Sequence, residues 1–244
     1  MSFLPYISDQ LLIKEVKHVL DIGRNRKQEA EKKFNHNVID PFAALFEAAG
    51  FAVNHQTWKN SETIRQCQKT VQNHVGTLHQ KILGHIDGWQ DLGTGSVIDL
   101  ICEEKKIIAE VKNKYNTVTG GKLAEQYYSL EKLVSLKASR YKDYTAYFVN
   151  IIPKKPDKYN IPFIPSDKEK GIKCPENTQI RIIDGASFYN LVTNRESAIE
   201  EFYSVLPRVI EHIFSAEYQQ DSYQLPDKDL FTHYFSLAYK NNHD

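Results

Sequence analysis

Apolar residues recur at helical spacing over three segments near the start of the chain. The pattern predicts helices over residues 8–34, 40–50 and 61–83, because apolar side chains three and four positions apart share one helix face. Residues suited to capping precede the first two helices, namely Ser8 and Asp40. The apolar stripe of the third helix is either core or a dimer surface, and the pattern alone does not decide between them.

The second predicted helix combines large apolar side chains with one carboxylate. Phe42, Leu45 and Phe46 fall on one face, which we expect to be buried. Glu47 follows directly on that face. It either faces solvent, as most helical glutamates do, or it points toward a site formed by the rest of the chain as an outer carboxylate.

Two short segments rich in Val and Ile follow. Residues 97–102 and 107–112 are typical of strands, and the charged turn over 103–106 cannot lie in a core, so a hairpin is predicted. A helix over about 122–137 and a strand over 144–152 come next. This order implies a β-α-β crossover beside the hairpin.

The remaining pattern indicates an α/β fold, with a mixed central sheet flanked by helices. A strand is predicted over 179–183, and helices are predicted over 187–192 and 196–214. The polar and aromatic tail after residue 215 is expected to pack late or at an interface. We divide the chain into an N-terminal helical region packed on the core, the core itself and a C-terminal tail: residues 1–83, 84–214 and 215–244.

The composition bounds the setting of the protein. A chain of 244 residues with 41% hydrophobic residues can form one large domain. No apolar run reaches membrane-spanning length, and the first residues lack the basic and apolar regions of a signal peptide. Cys67, Cys102 and Cys174 form no CxxC pair, which suggests neither a disulfide framework nor a zinc site. We therefore expect a reducing, cytoplasmic location and no membrane association.

Three ionisable residues interrupt the apolar strands of the predicted hairpin. Asp99 lies in the first strand, and Glu110 and Lys112, two positions apart, project from one face of the second. If the turn is centred on Glu104 and Lys105, Asp99 pairs near Glu110, and two carboxylates converge with one ammonium. In the alternative interpretation, Asp99 pairs with a lysine while Glu110 and Lys112 face solvent at a sheet edge.

Two adjacent carboxylates repel each other unless a cation lies between them. Mg²⁺ suits such a site because it prefers oxygen ligands and keeps several waters. A lysine beside the metal can hold an attacking water or stabilise charge on a phosphate. Asp87, which precedes Gly88, is by default a turn former, and alternatively it supports the metal site from a neighbouring backbone segment.

Charge is unevenly distributed, although the chain has no net charge. Residues 105–173 hold 15 basic and 7 acidic side chains, which favours a polyanionic substrate or else forms a solvated face. Two segments of this block are predicted to contact DNA: the polar loop over 113–122, otherwise an ordinary helix start, and the long Lys- and Pro-rich loop over 153–177. The residues expected to contact DNA are Asn113, Lys114, Asn116, Thr117, Thr119, Lys122, Lys154 and Lys155.

The order of strand with Asp, hairpin, strand with Glu-x-Lys, helix and strand resembles the core of PD-(D/E)XK nucleases. Ile98-Asp99 stands where that motif has Pro-Asp, and Glu110-Val111-Lys112 forms its second half. The longer runs NVIDPFAALFEAAGF, GSVIDL, IIAEVKNKYNTVTGGKL, IIPKKP and IRIIDGASFY are similar to type II restriction endonucleases that cut GGNCC. This resemblance spans about residues 8–213.

The resemblance implies Mg²⁺-dependent cleavage of double-stranded DNA by a homodimer, with one or two metal ions and a partner methyltransferase that protects host DNA. It implies that Asp99, Glu110 and the Val111 carbonyl hold the metal while Lys112 orients the attacking water. The GGNCC site is implied by the resemblance alone. Two alternatives stay open: a repair or junction nuclease of the same fold, and a DNA-binding or dimerising module whose carboxylates are structural.

Overall fold

A six-stranded mixed sheet with helices on both faces forms the centre of the computed structural model, which describes residues 2–34, 37–93 and 95–239. The predicted α/β class is therefore confirmed. The helices are α1 Asp9–Lys33, α2 Pro41–Gly50, α3 His55–Gly84, α4 Leu123–Ser135, α5 Gly185–Thr193, α6 Ala198–Ala216 and α7 Lys228–Ala238. The strands are β1 Gln90–Asp91, β2 Leu100–Cys102, β3 Ile107–Lys114, β4 Thr145–Ile152, β5 Asn160–Pro162, β6 Ser166–Asp167, β7 Ile172–Lys173 and β8 Ile180–Asp184.

The strand order in the central sheet is β1-β2-β3-β4-β8-β5. β2 and β3 form the predicted antiparallel hairpin, and β3, β4 and β8 run parallel. The crossover from β3 to β4 passes through α4, as the order of elements predicts. The short edge strands β1 and β5 are antiparallel to their neighbours, and β6 and β7 form a separate hairpin.

Side chains alternate between the two faces of the sheet, and each face carries its own apolar cluster. One cluster joins Val149 of β4 to Leu12 of α1 and Ile82 of α3. The other joins Phe148 of β4 to Tyr127 of α4, which covers the opposite face. The helical region predicted before residue 84 thus packs on one face, while α4 packs on the other.

The N-terminal helices differ from the prediction in two respects. α3 begins at His55, six residues early, because the Asn54 side chain accepts a hydrogen bond from Thr57 N at 2.9 Å and caps the helix. The predicted burial of α2 is wrong: Phe42, Leu45 and Phe46 are 75%, 68% and 73% exposed. The principal contact of α2 is with α3, and its apolar face points away from the core.

Two segments without predicted regular structure also contain it. The long basic loop over 153–177 includes β5, β6 and β7, and its Phe163 stacks on Phe148 at a centroid distance of 4.9 Å. The C-terminal tail contains α7, and the Tyr239 hydroxyl that follows it donates to Ile151 O at 2.6 Å. Residues 240–244 of the predicted tail lie outside the described part of the chain.

The predicted division into three regions stays a prediction. Its boundaries fall within two residues of the ends of α3 at Gly84 and α6 at Ala216.

At the start of α5, the backbone passes so close to β4 that a Cβ on Gly185 would lie 2.2 Å from Ile151 O, which only glycine avoids. No described helix has the length and apolar character needed to cross a membrane.

Candidate active site

The hairpin register brings the two carboxylates together. Leu100 pairs with Ala109 and Cys102 with Ile107, so Asp99 lies opposite Glu110, one position before β2 begins. Asp99 N donates to Ala109 O at 2.8 Å. The turn between the strands contains Lys106 in the left-handed region at φ 49°. The register is the one that a turn centred on residues 104 and 105 predicts.

Asp99, Glu110 and Lys112 form one contiguous cluster. Asp99 lies opposite Glu110 across the hairpin, which brings their carboxyl groups together, and Lys112 Nζ donates to Glu110 Oε1. Glu110 is 8% exposed, and Lys112 and Asp99 are half-buried. The three side chains therefore share one end of the hairpin, on the sheet face that α4 covers. The alternative in which they face solvent at a sheet edge does not fit this burial.

Burial raises the pKa of both carboxyl groups. The pKa of Glu110 is raised to about 7, mainly because burial removes solvation and secondly because Asp99 is negatively charged. Lys112 opposes this shift. Burial also raises the pKa of Asp99, against the N–H of Val111 and the charge of Lys112. One nearby ammonium therefore does not fully compensate the two carboxylates, and the pair favours a further cation.

The backbone at Val111 adds to the oxygen ligands available for a cation. Val111 N donates to Asp99 Oδ2 at 2.7 Å. The Asp99 side chain thus replaces the backbone carbonyl that would accept this hydrogen bond if β2 were longer. The N–H and C=O of one strand residue point to the same edge, so the Val111 carbonyl also faces the side of Asp99. Among the described residues no three His, Cys, Asp or Glu side chains cluster as a metal site. Two carboxylates and one carbonyl suit Mg²⁺, which keeps several waters.

Asn113 lies apart from the other predicted DNA-contacting residues. β3 continues to Lys114, and strand alternation turns Asn113 to the face opposite Lys112. There its Cβ would be 3.5 Å from a Cβ placed on Gly76 of α3. Its Oδ1 is buried and has no hydrogen-bond partner among the described residues. The predicted DNA contact does not fit this placement, because the residue belongs to a strand and not to the loop.

The other predicted DNA-contacting residues are exposed near the carboxyl ends of β3 and β4: Lys114, Asn116, Thr117, Thr119, Lys122, Lys154 and Lys155. Thr117 also shapes its loop, since its Oγ1 accepts from Lys114 N at 3.2 Å. Lys168 lies in the turn between β6 and β7, and its Nζ is 3.9 Å from the position that a Cβ on Gly120 would occupy. The two basic segments predicted to contact DNA are thus neighbours in the structure.

The two candidate supporting carboxylates lie elsewhere. Asp87 is exposed in a turn, and the adjacent Gly88 lies near Cys102 and Glu104, at the turn end of the hairpin and not at the Asp99 end. Glu47 accepts a hydrogen bond from Trp58 Nε1 at 2.9 Å, at the junction of α2 and α3. The default interpretations, a turn former and a solvent-exposed helix residue, describe both better than a role at the metal site.

The prediction missed polar residues that neighbour the cluster. In the parallel register Lys112 lies beside Asn150 of β4, and Asn150 lies beside Asp184 of β8. Asn150 interrupts an otherwise apolar strand, which is the same signal that identifies Asp99. Asp91 of β1 adds to the raised pKa of Asp99, although it forms an ion pair with Lys81 at 2.6 Å.

Comparison with known proteins shows similarity along almost the whole chain. The profile of the Eco47II restriction endonuclease family matches residues 4–215. The chain is 60% identical over 239 residues to the type II restriction enzyme Eco47II of Escherichia coli, covering 98% of this chain and 100% of that protein. It is 29% identical over 213 residues to the type II restriction enzyme Sau96I of Staphylococcus aureus, covering 86% and 79% of the two chains.

Proposed function

This chain belongs to the Eco47II restriction endonuclease family and is a type II restriction endonuclease, and from this premise we propose that Asp99, Glu110 and Lys112 form its catalytic centre. The observation that carries the proposal is the convergence of the buried Glu110, the half-buried Asp99 and the Lys112 ammonium at the end of the hairpin. Family membership decides against the two alternatives, a repair or junction nuclease and a non-catalytic module.

Asp99, Glu110 and the Val111 carbonyl would hold one Mg²⁺ ion, with water and DNA phosphate completing its shell, and a second ion is compatible with the same carboxylates. Bound there, the ion would polarise the scissile phosphate and lower the pKa of a coordinated water. Lys112 then orients the attacking water, and its positive charge stabilises charge that develops on the phosphate. With the ion bound, Glu110 would be one of its ligands and no longer the ion-pair partner of Lys112.

The DNA substrate would lie over the basic surface beside this centre. That surface comprises the loop after β3 and the segment after β4, with Lys114, Lys122, Lys154 and Lys155 exposed at the same end of the sheet. Lysines at such a position contact phosphates and align the duplex, whereas Asn116, Thr117 and Thr119 can reach bases or phosphates. We also propose a cytoplasmic location, where the enzyme meets foreign DNA, and a partner methyltransferase that protects host sites.

We propose GGNCC as the recognition sequence. Purified enzyme incubated with unmethylated phage DNA and Mg²⁺ is expected to produce the fragments of a GGNCC map, and DNA treated with the cognate methyltransferase should stay intact. Sequencing of the fragment ends identifies the cut site. A discrete pattern that maps to another sequence would replace GGNCC, and unspecific degradation or nicking of branched DNA would contradict site-specific cleavage.

Replacing Lys154 and Lys155 by alanine is expected to weaken DNA binding about tenfold and to reduce its salt dependence. A plot of log K for DNA binding against the logarithm of the salt concentration has a negative slope. Each lost phosphate contact makes that slope less steep by about one. Binding of a cleavable duplex is measured without divalent metal between about 50 and 200 mM salt. The control is Lys14→Ala plus Lys17→Ala in α1. This helix packs on the face of the sheet opposite to α4. An unchanged slope would mean that the segment after β4 does not contact DNA.

We propose that the active form is a homodimer, because the described part of the chain provides one such centre and a duplex has two strands to cut. A two-fold symmetric dimer would match a near-palindromic site. The apolar surface of α2, formed by Phe42, Leu45 and Phe46, is the face that we assign to this contact, because its large side chains are exposed.

A further inference from the structure

A polar row crosses the sheet at the carboxyl ends of its three parallel strands. Lys112 of β3, Asn150 of β4 and Asp184 of β8 lie side by side in register. Alternation places Asn150 on the same face as Phe148, and therefore on the face of Glu110 and Lys112. The carboxyl ends of parallel strands are where α/β proteins bind their ligands. Asn150 thus borders the catalytic centre without belonging to its motif.

The Asn150 side chain is buried but only partly satisfied. The residue is 4% exposed, and its Nδ2 donates to the Tyr159 hydroxyl at 3.2 Å. Its Oδ1 is buried and accepts no hydrogen bond from any residue that the structure describes. Buried carbonyl oxygens nearly always have a partner, because leaving one unpaired costs free energy. Such an exception beside an active site suggests an acceptor that is used in another state of the enzyme.

The neighbouring Asp184 shows the contrast. Its Oδ2 accepts from Tyr159 N at 2.6 Å, and its Oδ1 accepts from Ser187 N at 3.0 Å, where it caps α5. Both oxygens of Asp184 are therefore occupied by backbone donors that hold the fold together. Asn150 is the member of the row whose buried acceptor has no partner among the described residues.

Lys112 lies beside Asn150 in the strand register and is a donor that can change its partner. Neighbouring strands lie about 5 Å apart, so a lysine on β3 reaches the side chain beside it on β4. An ammonium has three donors, and in this structure Nζ bonds to Glu110 Oε1. When Glu110 turns to a metal ion, Lys112 loses that partner and needs another acceptor to keep its position.

We propose that Asn150 is a positioning residue whose Oδ1 accepts a hydrogen bond from Lys112 when Glu110 binds the metal. The bond holds the ammonium beside the attacking water, so Asn150 acts through Lys112 and does not touch the DNA. This inference rests on the proposed catalytic centre, and it adds a fourth side chain that neither the Glu-x-Lys motif nor its spacing contains.

Two variants remove the acceptor, Asn150→Leu and Asn150→Val, and Asn150→Asp keeps it. Tyr159→Phe is the matched control, because it removes the partner of Nδ2 and leaves Oδ1 in place. Single-turnover cleavage of a duplex that the parent enzyme cuts is measured at saturating Mg²⁺. Binding of the same duplex without metal and the melting temperature are measured in parallel.

We expect Asn150→Leu and Asn150→Val to cleave about 10- to 100-fold more slowly, the range typical of residues that orient a metal-site group. Their DNA affinity should stay within about twofold of the parent, and their melting temperatures should change little, since removal of the unpaired acceptor offsets loss of the hydrogen bond from Nδ2 to Tyr159. Asn150→Asp and Tyr159→Phe should cleave within about threefold of the parent. If Asn150→Asp cleaves fast while Asn150→Leu and Asn150→Val cleave slowly, the acceptor positions Lys112 and is not merely structural.

Parent-like cleavage by either acceptor-free variant would overturn the inference, as would Asn150→Asp cleaving as slowly as Asn150→Leu. If one acceptor-free variant does not fold, the other supplies the same measurement, and loss of folding in both would assign Asn150 a structural role. Lys112→Ala separates this failure from that of the proposed function. An inactive Lys112→Ala beside an active Asn150→Leu refutes only the role of Asn150, whereas an active Lys112→Ala refutes the catalytic centre itself.

Discussion

Asp99→Ala and Lys112→Ala are each expected to slow DNA cleavage by at least about a thousandfold while DNA binding persists. Asp99 is one of two carboxylates available to a metal, so its loss leaves Glu110 and the Val111 carbonyl as the protein ligands. Lys112 supplies the one ammonium in contact with the site, and no other cation contacts Glu110 among the hydrogen bonds and ion pairs described. Losses of this size are typical when preorganised charge at a reacting group is removed.

Fragment formation from phage DNA with Mg²⁺ is the measurement, together with binding of a duplex in the absence of metal. The matched control is Asp87→Ala, which removes an exposed carboxylate at the opposite end of the same hairpin. It should cut like the parent protein. Retained cleavage by purified Asp99→Ala or Lys112→Ala would mean that the cluster at the hairpin end is not the catalytic centre.

Phe42→Glu combined with Phe46→Glu is expected to raise the dimer dissociation constant at least about a hundredfold and to yield a folded monomer. Phe42, Leu45 and Phe46 occupy one face of α2 and are each more than two-thirds exposed. Carboxylates placed in an apolar contact lose their solvation without gaining a partner, which opposes association strongly. Because these positions are exposed in the single chain, the substitutions should leave its stability almost unchanged.

The exposed area supports α2 as the contact surface. With roughly 200 Å² for a complete phenylalanine side chain, this face presents about 400 Å² of apolar surface, or about half of what one partner contributes to a standard interface. Exposed apolar patches of this size usually mark interaction sites. α7 also exposes apolar residues, including Leu230 and Leu237. However, α7 lies beyond residue 215, where the family match ends, whereas α2 lies within it.

Sedimentation or light scattering over a range of concentrations measures the association, and double-strand cleavage is followed in the same samples. Leu230→Glu plus Leu237→Glu in α7 is the matched control, with two apolar side chains of similar exposure replaced. A dimer that survives the α2 substitutions but dissociates with the α7 substitutions would move the interface to the C-terminal helix. A parent protein that is monomeric at all concentrations would exclude the homodimer.

Local sequence determined most of the secondary structure around the site. The ranges predicted for the hairpin, α4, β4 and α6 agree with the structure within a few residues, because periodicity and capping act over one or two turns of chain. The turn centred between Glu104 and Lys105 alone sets the register that places Asp99 opposite Glu110. A two-residue spacing within β3 likewise settles that Glu110 and Lys112 share a face.

The errors arose where long-range contacts decide. A stripe such as Phe42, Leu45 and Phe46 shows that a helix is amphipathic, but not whether its own chain covers it. The predicted strand ends at Lys112, two residues before β3 does, so the prediction places Asn113 in a loop. One added strand residue reverses the face of a side chain. The strands β5 to β7 were missed because two- and three-residue strands depend on pairing with distant partners.

The hairpin, its three charged residues and the likeness to a nuclease family can all be predicted from the sequence, since each depends on neighbours along the chain. The fold was needed to show that β4 and β8 lie beside β3, and hence that Asn150 and Asp184 continue a polar row from Lys112. It also decided that Glu47 and Asp87 lie away from the carboxylate pair. The physical reason is that strand order and helix docking follow from burial summed over the whole chain, which no local pattern encodes.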